Sequence, residues 1–243
     1  MIAYIVNGGE GIRVKEITDR LGCSKSDIPI SGKPFSKWQE EWLGQQDIIE
    51  VSTEWSDRGV GTGGVIKLNR VYTPYLIVYG DTYTPISIRD MYEYHVQCAA
   101  DMMVAVKTVR DRDYGLWQSI NTTVRDNNTG IQNLYPIAQC YDRHGTDRLN
   151  PEKEESFLTN VGIYIVGERA QDWIHNTPWV REDPTADGSR RSLSLENDVF
   201  AGSNFFKCLR VMLYDVGDLP VYDVGTPERI VQTEELVIQR GGR

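Results

Sequence analysis

The chain has 243 residues, 40% of them hydrophobic and 25% charged, an ordinary balance for a soluble globular protein with room for one large α/β domain or two small ones. Its net charge of −9 argues against a broad nucleic-acid-binding surface, so an anionic ligand must be met by a local cluster of Arg, Lys and metal. No apolar run approaches the ~18 residues that span a bilayer, no secretion signal is visible, and the scattered cysteines Cys23, Cys98, Cys140 and Cys208 form no C-x-x-C pair. The expectation is a cytoplasmic protein without membrane, zinc or redox motifs.

Residues 1–6 read as a buried strand that runs into Gly8-Gly9-Glu10-Gly11-Ile12-Arg13. Glycines let a backbone approach an anion closely, and Arg13 adds a planar cation suited to phosphate oxygens. The turn is not a P-loop, because no Gly-Lys-Ser/Thr follows. It is not a dinucleotide fingerprint either, because Val14 stands where a third glycine is needed. Residues 35–43 place Phe35, Trp38, Trp42 and Leu43 near one helical face. A strand at 75–79 ends on Gly80-Asp81, and a helix at 88–100 opens on Ser87 as its cap. Strands follow at 102–106 and 162–166, and a helix at 227–236 opens with Thr226 and Pro227. The stretches 122–130, 140–156 and 178–194 read as loops. Strands and helices in alternation predict a mostly parallel sheet with helices on both faces.

Two aspartates suggest metal chemistry. Asp81 follows an apolar strand and a glycine, which places it at the C-terminal edge where open α/β sheets bind ligands. Asp223 stands just before a helix start. Paired with the glycine turn and Arg13, they point to metal-assisted transfer of a phosphate-containing group, with Mg²⁺ favoured by carboxylate oxygens.

Several motifs, in order, resemble the sugar-1-phosphate nucleotidyltransferases. The opening turn is similar to the family's G-G-x-G-T-R signature, and Lys25 with Gly32-Lys33-Pro34 to its P-K-P-x-x-P-x-x-G-K-P segment. Gly61-Thr62-Gly63-Gly64 resembles its G-T-G-G nucleotide-base loop, Gly80-Asp81 its strand-end G-D, and Tyr114-Gly115 its sugar loop. Asn160-Val161-Gly162-Ile163-Tyr164 resembles N-A-G-I-Y, Leu195-Glu196-Asn197-Asp198-Val199-Phe200 resembles L-E-K-D-V-F, and Asp223-Val224-Gly225-Thr226-Pro227-Glu228 resembles D-I-G-T-P-E. The combination looks most like heptose-1-phosphate and mannose-1-phosphate guanylyltransferases.

The resemblance implies a Rossmann-like three-layer α/β/α fold with a mostly parallel mixed sheet. It implies a single nucleotidyltransferase domain over 1–243, with the nucleotide part about 1–110 and the sugar part about 111–243. It implies an enzyme of NDP-sugar and polysaccharide biosynthesis that joins a nucleoside triphosphate, GTP favoured, to a sugar 1-phosphate. Mg²⁺ would be held by Asp81 and Asp223. Gly8, Gly9 and Gly11 would cradle the triphosphate, Arg13 and Lys25 would counter its charge, and Gly61, Thr62, Gly63 and Gly64 would face base and ribose. Tyr114, Gly115, Asn160 and Gly162 would contact the sugar, and Lys153 would meet the sugar phosphate. No nucleic acid or membrane partner is implied, and a homo-oligomer is compatible with this reading. The chain departs from the pattern at Asn7 (for alanine), at Ile12 (for threonine), in the spacing before Lys25, and in a short 43–61 stretch that lacks roughly one strand-plus-helix unit. Two rival readings are a cytidylyl- or uridylyltransferase for another phosphorylated substrate and a non-catalytic regulatory relative.

Overall fold

Apolar runs that are covered on both faces make central strands, and that is where the longest of them lie. The computed structural model describes residues 1–7, 12–46, 50–55, 60–109, 119–120, 140–141, 157–183, 190–200 and 205–241. Strand β1 (Ile2–Asn7) is followed by a 3-10 turn (Ile12–Val14), α1 (Lys15–Leu21), a second 3-10 turn (Lys25–Asp27), the hairpin of β2 (Pro29–Ile30) and β3 (Lys33–Pro34), and α2 (Phe35–Gly44). Next come β4 (Glu50–Trp55), α3 (Gly61–Leu68), β5 (Tyr75–Tyr79), β6 (Thr82–Tyr83), α4 (Ile88–Gln97), β7 (Met102–Val109), and the short β8 (Ser119–Ile120) and β9 (Cys140–Tyr141). The chain continues through β10 (Phe157–Val166), α5 (Glu168–Asn176), the hairpin of β11 (Arg181–Asp183) and β12 (Arg190–Ser192), and a π-helical stretch (Leu195–Phe200). It closes with α6 (Phe205–Cys208), β13 (Val211–Asp215), β14 (Tyr222–Asp223) and α7 (Pro227–Gly241).

The main sheet has the order β13-β7-β10-β5-β1-β4, with β8 on β10 and β9 on β8. β4, β1 and β5 are mutually parallel, as are β7 and β13, while β10 runs antiparallel between β5 and β7. Five of these six strands therefore point the same way, which is the mostly parallel mixed sheet expected. Alternate residues of each strand face opposite layers. Ala3, Ile5, Leu76, Val78, Met103, Ala105, Ile163 and Ile165 pack with Phe35, Trp42 and Leu43 of α2 and with Ile88 and Met91 of α4. Tyr4, Val6, Tyr75, Ile77, Val104, Tyr164 and Val166 pack with Val65 and Ile66 of α3 and with Ala170 and Ile174 of α5.

The structure adds α1, α3, α5 and β13 to the expected elements, and it extends the strands expected at 102–106 and 162–166 to 102–109 and 157–166. Four further differences have a local cause or outcome. β4 was not legible, because Glu50-Val51-Ser52-Thr53-Glu54-Trp55 carries no apolar run; it is an edge strand, where polar residues are tolerated. The helix expected over 88–100 ends at Gln97, since Ala99 takes a φ of 46° that no helix continues through. The last helix reaches Gly241 rather than 236. Within the expected loop 178–194, β11 and β12 pair as a hairpin. The expected loop 122–130 and most of 140–156 lie outside the described residues. Among the described residues, Cys23, Cys98 and Cys208 are free thiols, and no helix is long and apolar enough to cross a membrane.

At the sheet edge opposite the strand C-termini, the Asp101 carboxylate accepts from Arg210 N (2.8 Å) and Arg169 Nη1 (3.1 Å). His95 of α4 is buried nearby, and its Nδ1 has no hydrogen-bond partner among the described residues. Burial lowers its pKa below the usual 6.5, and the Asp101 charge recovers only part of this. The fold thus favours neutral His95, and stability is lost as pH falls below the unfolded value and the unfolded chain binds the proton first. Chemical denaturation between about pH 7.5 and pH 5.5 should cost the native protein more stability than His95→Gln. Equal losses would mean that this site is not the cause.

Candidate functional site

Asp81 is held at the end of β5 by contacts to three elements. Gly80 N donates to Val6 O (3.0 Å), which ties the strand end to β1. A Cβ at Gly80 would lie 1.7 Å from Asn7 Oδ1, so glycine is required where the Asn7 side chain crosses. Gln39 of α2 is fully buried, and its Nε2 donates to Tyr79 O (2.7 Å) and Thr82 O (2.9 Å), clasping the turn on which Asp81 sits. The Thr82 hydroxyl donates to Asp81 Oδ1 (3.1 Å).

Lys25 reaches Asp81 Oδ2 from its own short turn and forms an ion pair with it. That turn is stapled by Asp27, which accepts from Ser24 Oγ and Ser36 Oγ at 2.7 Å each. The hairpin after it is gripped from α7, where the Glu234 carboxylate accepts from Ser31 N (2.7 Å) and Ser31 Oγ (3.0 Å).

Asp223 comes to the same place because β14 pairs antiparallel with β6, setting Asp223 against Thr82. Val224 N donates to Asp81 O (2.9 Å). Thr233 of α7 takes Asp223 N and returns a bond to Asp223 O, both 2.9 Å. Arg229 Nη1 donates to Asp223 Oδ2 at 2.6 Å in a buried ion pair, and Gly225 N donates to Oδ1. A Cβ at Gly225 would stand 2.8 Å from Asp223 Oδ1 and 3.7 Å from the Lys25 ammonium, so the residue there must be small.

The charges of these groups act on one another. Burial pushes the Asp81 carboxyl up, but the adjacent Lys25 ammonium and its hydrogen bond outweigh this and leave it below the ordinary value. Burial and the neighbouring Asp81 charge push Asp223 up to about 6, against the pull of Arg229. Two carboxylates that oppose each other's ionisation would both be relieved by a cation shared between them. Hard oxygen donors of like charge fit Mg²⁺, and Lys25 brings positive charge to the Asp81 side.

The other expected residues fall into three groups. Arg13 is exposed on the 3-10 turn after β1, beside an Ile12 that is 74% exposed. Gly8, Gly9, Gly11, Tyr114, Gly115 and Lys153 lie outside the described residues. Gly61, Thr62, Gly63 and Gly64 form the first turn of α3, which packs closely on protein. A Cβ at Gly61 (φ 72°) would meet Leu193 O at 2.5 Å, and one at Gly64 would meet the Trp179 ring at 3.0 Å. The Thr62 hydroxyl accepts from Leu195 N (2.9 Å) and donates to Glu196 Oε2 (3.2 Å). Asn160 also faces inward: its Oδ1 takes Gly162 N (2.9 Å) at a bulge in β10, and its Nδ2 donates to the Tyr164 hydroxyl. Packing inside the protein thus accounts for these glycines and for the Asn160 amide.

Sequence reasoning missed Gln39, Arg229, Thr233 and Glu234, all of which hold candidate residues in place. Arg229 follows the Asp223-to-Glu228 motif by one position and was open to notice as a basic residue in the first turn of a helix, where acids are favoured. Gln39 gave no signal, since one polar residue in an amphipathic helix usually faces water.

The architecture is a Rossmann-like three-layer α/β/α fold that solved structures share. HddC from Yersinia pseudotuberculosis matches 97% of this chain and 99% of its own, with a TM-score of 0.65 at 18% identity, and its complex with GMP-PN matches at 0.64 and 19%. A Bacillus anthracis protein assigned as a glucose-1-phosphate thymidylyltransferase, solved with sucrose, matches at 0.66 and 16% identity over 97% of this chain and 95% of its own. In sequence, the chain is 27% identical over 138 residues to the D-glycero-alpha-D-manno-heptose 1-phosphate guanylyltransferase of Aneurinibacillus thermoaerophilus. That match takes in 46% of this chain and spans 59% of the length of the relative. No family model matches the chain.

Because Arg229 and Asp223 are buried together, removing the cation alone leaves an unpaired charge. Arg229→Met should lower unfolding stability by about 3 kcal/mol near pH 8. The deficit should shrink near pH 5, where Asp223 takes up a proton. A deficit independent of pH would mean that lost packing, rather than charge, is responsible.

Proposed function

We propose that this chain is a sugar-1-phosphate nucleotidyltransferase that joins a nucleoside triphosphate, GTP by preference, to a sugar 1-phosphate of heptose or mannose type, releasing pyrophosphate. The observation that carries this reading is the meeting of Asp81, Asp223 and Lys25 at the C-terminal edge of the sheet. The guanylyltransferase named among the relatives supports the choice of base and sugar.

In the proposed reaction, an oxygen of the sugar phosphate forms a bond to the α-phosphorus while the α–β bridging bond breaks, in line. The protein's work is alignment and charge neutralisation. Asp81 and Asp223 would hold Mg²⁺, which when bound neutralises phosphate oxygens. Lys25 would then turn its ammonium from Asp81 toward the triphosphate. Arg13 would hold the leaving pyrophosphate, and the Gly8, Gly9 and Gly11 backbone would donate to the triphosphate. The first turn of α3, Gly61 to Gly64, would border the nucleotide. Tyr114, Gly115, Asn160 and Gly162 would frame the sugar, and Lys153 would meet its phosphate. The nucleotide part would span about 1–110 and the sugar part about 111–243 of one domain acting in the cytoplasm.

Pyrophosphate release should be measured for five triphosphates against mannose and heptose 1-phosphates. GTP with Mg²⁺ should give turnover, chelation should abolish it, and Asp81→Asn and Asp223→Asn should each cost on the order of a thousandfold in kcat. Mg²⁺ should also raise the melting temperature of the native protein but not of Asp223→Asn. A preference for CTP or UTP would overturn the choice of base. No pyrophosphate from any pair would overturn the enzyme, and full turnover in either variant would overturn the metal assignment.

A further inference from the structure

One buried acid takes no part in the reaction just described. Glu196 is 5% exposed, lies in the π-helical stretch after β12, and has no cationic partner among the described residues. Hydroxyl groups surround it instead. Its Oε1 accepts from the Tyr79 hydroxyl and from the Tyr164 hydroxyl (2.9 Å), and its Oε2 accepts from Thr62 Oγ1 (3.2 Å). The two phenol oxygens lie 3.2 Å apart, and Tyr164 in turn accepts from Asn160 Nδ2. Burial, reinforced by the Glu196 charge, holds both phenols well above their usual titration range, so they remain donors.

The donors come from three separate elements. Thr62 is in the first turn of α3, Tyr79 ends the strand that leads to Asp81, and Tyr164 follows the bulge at Asn160 and Gly162. Gly162 has a φ of 71°, and a Cβ there would stand 2.9 Å from the Tyr79 ring, so the bulge sits directly on that ring. Leu195 N on Thr62 Oγ1 and Gly64 N on Leu193 O (3.0 Å) bind the same first turn of α3 to the chain on either side of Ser194. A carboxylate suits this place because every neighbour has a proton to give. A glutamine that kept its oxygen toward the tyrosines would turn an N–H₂ toward the Thr62 and Ser194 hydroxyls, which would lose the acceptor that Oε2 gives them.

We infer that Glu196 is a positioning residue that fixes α3, the Asp81 strand and the β10 bulge in one arrangement, so that the nucleotide side and the acceptor side keep a set separation. This rests on the transferase reading above. Burying a charge on hydroxyl donors alone is costly unless all of them are engaged, so the network holds together or fails as a unit.

The test is steady-state kinetics on Glu196→Gln and Tyr164→Phe, with melting temperatures recorded so that rates are compared on folded protein. Each variant should lose about tenfold in kcat while KM for both substrates stays within about twofold, the signature of lost alignment rather than lost binding. The double variant should be little worse than Glu196→Gln alone. Unchanged kcat, a rise confined to one KM, or fully additive losses would overturn the role. If the native protein itself shows no turnover, the transferase reading falls instead. The network is then judged by the unfolding energies of Thr62→Val, Tyr164→Phe and their double variant. Coupling between them upholds it, and additivity overturns it.

Discussion

The mutual repulsion of Asp81 and Asp223 is the constraint around which the ligand edge of this protein is arranged. Each carboxylate has its own cation, Lys25 on one side and Arg229 on the other. What makes both pairs possible is a single helix. Arg229, Thr233 and Glu234 lie within about one and a half turns of α7. They hold the Asp223 carboxylate, the Asp223 backbone and the hairpin that follows Lys25. A helix at the end of the chain thereby fixes residues that lie about two hundred positions apart in sequence.

Much of this was legible beforehand, for identifiable reasons. β1, β5, β7 and the second half of β10 are apolar on both faces, and such runs stand out in a sequence. Asp81 was legible because a strand, a glycine and an acid in succession place the acid at an edge. The antiparallel direction of β10 was not, since an apolar run says nothing of its direction. β4 escaped because an edge strand need not be apolar. Arg229 and Gln39 escaped because their function depends on what lies across from them, which no local pattern records.

The Gly61-Thr62-Gly63-Gly64 run shows how a motif can be read correctly as special and incompletely as to cause. Glycines beside a candidate ligand suggest backbone offered to that ligand. Here the space where side chains would stand is filled by Leu193 and Trp179. The glycines admit another stretch of the same chain, and through Thr62 they connect to Glu196. The residues that make the motif recognisable are those that let α3 sit close to its neighbours.

The reversed strand β10 has a geometric result of its own. Its residues 157–160 pair with β7 but with no residue of β5, so these two strands continue past the point where β5 stops, by about 13 Å at the usual strand rise. The sheet therefore has a raised parapet on one flank of Asp81, whereas β5 and β1 end side by side on the other. Such relief distinguishes left from right at the two candidate aspartates. In the reaction we propose, a displacement at phosphorus would set its two oxygens at opposite poles, and a step in the height of the floor would supply the asymmetry by which each pole is told from the other.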